Sequence, residues 1–204
     1  MSIKKKIVLS VSTCLLIVLA AVGVYVYGLF NTPLIITDEI IPVASMDLQI
    51  YLSDTIVLAK VVSDNNNKMI TCKEQTQNGE KTYIKLVTDT QLEIKEVYKG
   101  DITDGSTITY RGNYGKFENL EISDISKNPN FNIGEEFIIF LQKNNESNTY
   151  NWTLGPQSKF IYDEANTKYI GKYLTFENIN TEIERYNNTS ETERDLPQGS
   201  INSI

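Results

Sequence analysis

The chain has 204 residues, a formal charge of −7, no histidine and two cysteines. Without histidine no Ser-His or Cys-His catalytic pair and no imidazole metal site can be built. Cys14 lies in an apolar run and Cys72 stands alone after it, so no disulfide can staple the later part; the excess of acid disfavours nucleic acid.

Residues 1–6 form a basic start with Lys4, Lys5 and Lys6, and residues 7–30 follow without a charge. As a helix those 24 residues reach about 36 Å, enough for a hydrocarbon core of about 30 Å. The lysines precede the run and the first charges after it are Asp38 and Glu39. Positive charge stays inside, so the amino terminus is predicted cytoplasmic and the domain extracellular. The run is longer than the apolar part of a signal peptide and ends in Tyr25, Tyr27, Leu29 and Phe30. An uncleaved, single-pass anchor in the cell membrane is therefore expected, with secretion after signal-peptide cleavage as the alternative. Cys14 follows Thr13 inside the run, which does not fit a lipidation site. Beyond the anchor the charge is −10, since three of the 19 Lys+Arg and none of the 26 Asp+Glu precede it.

Residues 31–43, with Pro33 and Pro42, are predicted to be a stalk. Residues 44–187 are predicted to be one extracytoplasmic domain. Ala44–Leu52 has near-helical apolar spacing, and Thr55–Val62 is rich in β-branched residues and is predicted to be a buried strand. Asp64–Lys81 is polar and reads as a loop or a ragged hairpin tip. Thr82–Tyr98 and Ser106–Arg111 are predicted strands. Residues 112–134 are loop-like. Glu135–Gln142, EEFIIFLQ, is predicted to be the central core strand, with Tyr150–Leu154, Lys159–Tyr162 and Lys168–Tyr173 as further strands. Phe176–Tyr186 spaces its apolar residues at three and four, as in a helix. Residues 188–204 are expected to be a disordered tail.

Strands at short intervals with turn signals between them give a mainly β fold. A small closed or partly open antiparallel barrel with one or two short helices is expected after the transmembrane helix.

Four pieces occur in order: SDTIVLAKV over 53–61, VYKGD over 97–101, FNIGEEFIIFL over 131–141 and GPQSKF over 155–160. Together they resemble a family of uncharacterised cell-surface or exported proteins, mostly of Gram-positive bacteria. The family carries a β-barrel similar to the OB-fold or to the tissue inhibitors of metalloproteinases. The resemblance covers residues 45–165 and implies a fold and a surface location, without an activity. Those inhibitors use a free amino-terminal cysteine on zinc, which this chain lacks. Lys99, Gly100, Asp101, Gly134, Glu135, Gly155, Pro156 and Gln157 are accordingly read as structural turn residues.

Ser45-Met46 after an anchor is similar to type I signal peptidases, in which a serine nucleophile uses a lysine base. Here Leu48 replaces the expected proline, and Lys85 or Lys95 would have to serve as base. Glu135 and Glu136 are adjacent, so on a strand they face opposite sides and cannot flank one glycosidic bond. Asp101 and Asp104 do not have the spacing of an EF-hand loop. Tyr110, Arg111, Tyr114 and Phe117 form a candidate stacking face for a sugar or peptide. The expected function is therefore a membrane-anchored binding or scaffolding module. Its partner would be a cell-surface protein or a cell-wall polymer, with no cofactor, metal, catalytic residue or nucleic acid assigned.

Overall fold

The computed structural model describes residues 43–63, 66–76, 79–117, 120–122 and 131–196. The expected anchor and residues 31–42 of the stalk lie outside these. Among the described residues no helix is long and apolar enough to cross a membrane.

In chain order the elements are α1 (Met46–Leu52), β1 (Thr55–Val61), β2 (Asn66–Thr76), β3 (Gly79–Lys99), β4 (Thr107–Gly112), β5 (Gly115–Phe117), β6 (Leu120–Ile122), β7 (Glu136–Asn144), β8 (Thr149–Trp152), β9 (Lys159–Asp163), β10 (Lys168–Ile170), β11 (Thr175–Phe176) and α2 (Ile179–Asn188). The fold is mainly β, as expected, and five strands make a ring. β1 pairs antiparallel with β3 on one side and with β7 on the other. β3 continues to β4, and β4 meets β8 in parallel with Tyr110 opposite Tyr150. β8 returns antiparallel to β7 and closes the circuit.

Alternate residues of the same strands feed two cores, because neighbours on a strand point to opposite sides. Val57, Ala59, Phe137, Ile139 and Leu141 point into the ring with Leu92, Ile94 and Tyr110. Ile56, Ile138 and Phe140 point outward and are covered by Met46 and Ile50 of α1, Phe160, Phe176 and Ile179. Burial on both faces explains why TIVLA and FIIFL read as unbroken apolar runs rather than as alternation. Each fully buried Phe or Ile contributes on the order of 1.5–3 kcal/mol of transfer energy.

Three segments differ in detail from the sequence expectation. The polar stretch before residue 81 is a regular ribbon in which β2 pairs with β3 from Asn66 opposite Asp89 to Thr76 opposite Gly79. A two-stranded ribbon standing largely in water can carry polar residues on both faces, which hides its period. Within 112–134, β5 and β6 pair as a hairpin. Phe176 joins β11, and the second helix begins only at Ile179, capped by the Asn178 side chain on Asn180 N.

Past α2 the chain keeps specific bonds. Arg194 lies 4.2 Å over the Tyr186 ring. Asp195 N donates to Asp47 Oδ2 at 3.0 Å, and Ser45 Oγ donates to Asp195 O at 2.6 Å. Asp47 is buried and also accepts from Arg185 Nη2 at 2.6 Å. Burial would raise its carboxyl, but the bonds from Arg185 and Asp195 and the Arg185 charge outweigh that and hold it below the usual carboxylate range. Asp47→Ala should therefore cost about 2 kcal/mol in a urea melt. An unchanged midpoint would show that the closing segment adds nothing to stability.

Candidate functional site

The turn residues of the four motifs are joints between the ring and its surroundings. Lys99 Nζ donates to Ile50 O at 2.7 Å and satisfies a carbonyl left over at the end of α1. Burial pushes its amine below the usual lysine value, and the charge of Asp54 opposes that. Gly100 has φ +104°, and a Cβ there would stand 2.7 Å from Asp54 O. Asp101 is exposed in the bend that follows. Gly134 N donates to Val61 O at 2.8 Å. Glu135 Oε1 bonds Lys159 Nζ at 2.8 Å, and that amine also lies over the rings of Phe131 and Phe137. Gly155, Pro156 and Gln157 sit in a 3-10 turn over Gly155–Ser158, where Gln157 Oε1 accepts from Ala44 N at 2.8 Å.

Ser45 is the cap of α1: its Oγ accepts from Leu48 N and donates to Asp195 O. No lysine bonds it among the described residues. Lys99 is held at Ile50, near the other end of the helix, and Lys95 pairs with Glu93 at 2.8 Å. Glu136 pairs with Lys60 at 3.3 Å. Among the described residues no three acids or thiols are placed to hold a metal ion.

The expected aromatic face is not assembled as one surface. Tyr110 and Tyr114 are 0 % and 3 % exposed and belong to the core inside the ring. Tyr110 is edge-on to Phe131 at 4.9 Å. Tyr114 folds over Gly112, where any Cβ would fall 2.0 Å from its ring. Arg111, one residue after Tyr110, points to the other side. Phe117 ends β5, and its side chain lies outside the described residues.

What Arg111 faces is a groove of about 660 Å³ between the β2–β3 ribbon and the turn joining β7 to β8. Ile70, Cys72, Tyr83, Lys85 and Val87 line the ribbon side, Arg111 and Asn113 the floor, and Asn144, Glu146, Ser147 and Asn151 the far wall. Asn144 Oδ1 accepts from Glu146 N and Ser147 N, which fixes the far turn. Amide, hydroxyl and ammonium groups thus converge with one phenol ring, a set suited to a polar ligand. Of the expected aromatic face only Arg111 reaches this groove, where it is joined by Lys85, a lysine considered above as a base for Ser45. A cluster of Asn and Lys in polar segments was its one signal in the sequence.

Asp89 anchors the floor. It is buried and accepts from Arg111 Nε at 2.7 Å and Arg111 Nη2 at 2.8 Å, while Lys68 bonds it from the ribbon. Burial alone would raise its carboxyl, but the two cations outweigh that and hold it below the usual range. Its contribution is full at neutral pH and is lost as pH falls through the lowered folded value. Asp89→Asn should be about 2 kcal/mol less stable at pH 7. The gap to wild type should begin to narrow below about pH 4, where the unfolded carboxyl takes up its proton, and close only once the pH has fallen through the lowered folded value. A gap that does not change with pH in chemical melts would remove Asp89 from this role. No protein-family model, no curated protein and no solved structure matches this chain.

Proposed function

We propose that the domain after residue 43 is an OB-like barrel held at the outer face of the cell membrane by residues 7–30. It binds a ligand in the Arg111 groove and carries no chemistry of its own. The strand order supports the barrel. β1, β3 and β4 follow one another around the ring and β7 comes back beside β1, the 4-1-2-3 order of a Greek key. β8 then fills the space between β7 and β4.

The position of the groove carries the functional reading. OB-folds bind oligosaccharides and oligonucleotides on the face of their second and third strands, between the loop after the first strand and the loop before the fifth. Here the β2–β3 ribbon is the excursion after the first ring strand, and Asn144–Thr149 is the turn before the fifth. The groove lies between those two excursions. The resemblance to Gram-positive surface proteins agrees with an external, cell-wall-facing role. The acidic domain, at −10 beyond the anchor, disfavours nucleic acid in favour of a saccharide or a surface protein.

Cys72 gives a direct test, being half-buried in the groove. A membrane-impermeant maleimide should label Cys72 in intact cells and should not label Cys72→Ser. Labelling that appears only after lysis would place the domain on the wrong side of the membrane. The ligand, captured from intact cells on the full chain, should slow that labelling. Tyr83→Ala with Asn151→Ala should weaken capture about tenfold, the equivalent of about 1.4 kcal/mol, with an unchanged melting midpoint.

A further inference from the structure

Charge is unevenly distributed around this groove. Lys73, Lys85 and Arg111 line it against one acid, Glu146, in a chain whose outer part is strongly acidic. Lys73 pairs with Glu80 at 2.9 Å in the open. Arg111 spends two of its donors on Asp89, which Lys68 also neutralises, so that trio keeps one positive charge. Lys85 has no ion pair among the described residues.

The two cationic points are spaced along one face. Arg111 stands opposite Asp89, and Lys85 is four residues before Asp89 on the same side of β3. At about 3.4 Å per residue, their backbone positions on the sheet lie about 13–14 Å apart along the strand. One small anion spans little of that separation. A chain that repeats a negative charge can reach both, while its hydroxyls meet the amides of Asn113 and Asn151 between and beside them.

We propose that the groove ligand is a linear, hydroxyl-rich polyanion, with one negative group engaging Lys85 and another the Arg111 end. This rests on the groove being the binding site, as argued above. The shared chemistry, a regularly repeated monoanion on a polyol or sugar chain, has two sources. One is a polyol phosphate and the other a uronic-acid polysaccharide. Ammonium and guanidinium groups serve both, Lys85 as a point charge and Arg111 as a fork with Nη1 still to offer.

The test uses the full chain in detergent micelles with poly(glycerol phosphate), polygalacturonate, an uncharged glucan and single-stranded DNA as probes. One of the two hydroxyl-rich polyanions should bind, slow the labelling of Cys72 and lose affinity as salt is raised. The tighter of the two names the source. Lys85→Glu should weaken it about tenfold or more, and Lys85→Gln less, both at an unchanged melting midpoint. Affinity indifferent to Lys85→Glu would overturn the proposal, as would DNA binding as tightly as the better polyanion. Shielding of Cys72 by the glucan and by neither polyanion would overturn the anionic ligand and leave the groove as the binding site. Shielding by none of the probes, together with failure of capture from cells, would overturn the groove itself.

Discussion

The double pairing of β1, with β3 along one edge and β7 along the other, is the constraint from which the rest follows. Both edges of β1 are used, so its side chains must serve two interiors. Ile56 goes to the outer cluster and Val57 to the ring. β7 repeats the pattern with Ile138 and Ile139. The ring cannot be loosened on that wall without opening the second core, where α1, β9 and α2 rest through Met46, Ile50, Phe160 and Ile179. Residues joining this wall to its surroundings are accordingly specific. Lys99 on Ile50, Glu135 with Lys159 and Gln157 on Ala44 each satisfy a polar group that packing would otherwise strand.

The opposite side of the ring is organised by charge. There β3 runs past the end of β4 and carries the ribbon into solvent, with Asp89 at the point of departure. A buried carboxylate between Lys68 and Arg111 fixes both cations in place without letting either collapse onto the protein's many acids. Two cations held by one acid leave a local excess of one positive charge in a domain that is otherwise acidic.

The wall strands were legible because burial on both faces leaves an unmistakable apolar run, as in Glu136–Leu141. Helix α1 was legible from its spacing, whereas Ser45, read from sequence as a candidate nucleophile, is its cap. The ribbon was not, because Asn66–Thr76 faces water on most of its length and so lacks the alternation that marks a half-buried strand. The parallel contact of Tyr110 with Tyr150 was not either, since forty residues separate the partners and no local pattern encodes which edges meet. The aromatic face failed on parity. Tyr110 and Arg111 are consecutive on β4, so a ring filled by one must turn the other away. Tyr114 then followed Tyr110 inward because Gly112 leaves room for its ring. The groove needs residues from four separate segments, and only the fold brings them together.

Ser45 and Asp195 touch, which brings the first and last of the described residues to one spot. Such an arrangement makes the domain a closed loop in all but one covalent link. It could be spliced as a cassette into a surface turn of another protein, or circularised and cut elsewhere, without crossing either interior.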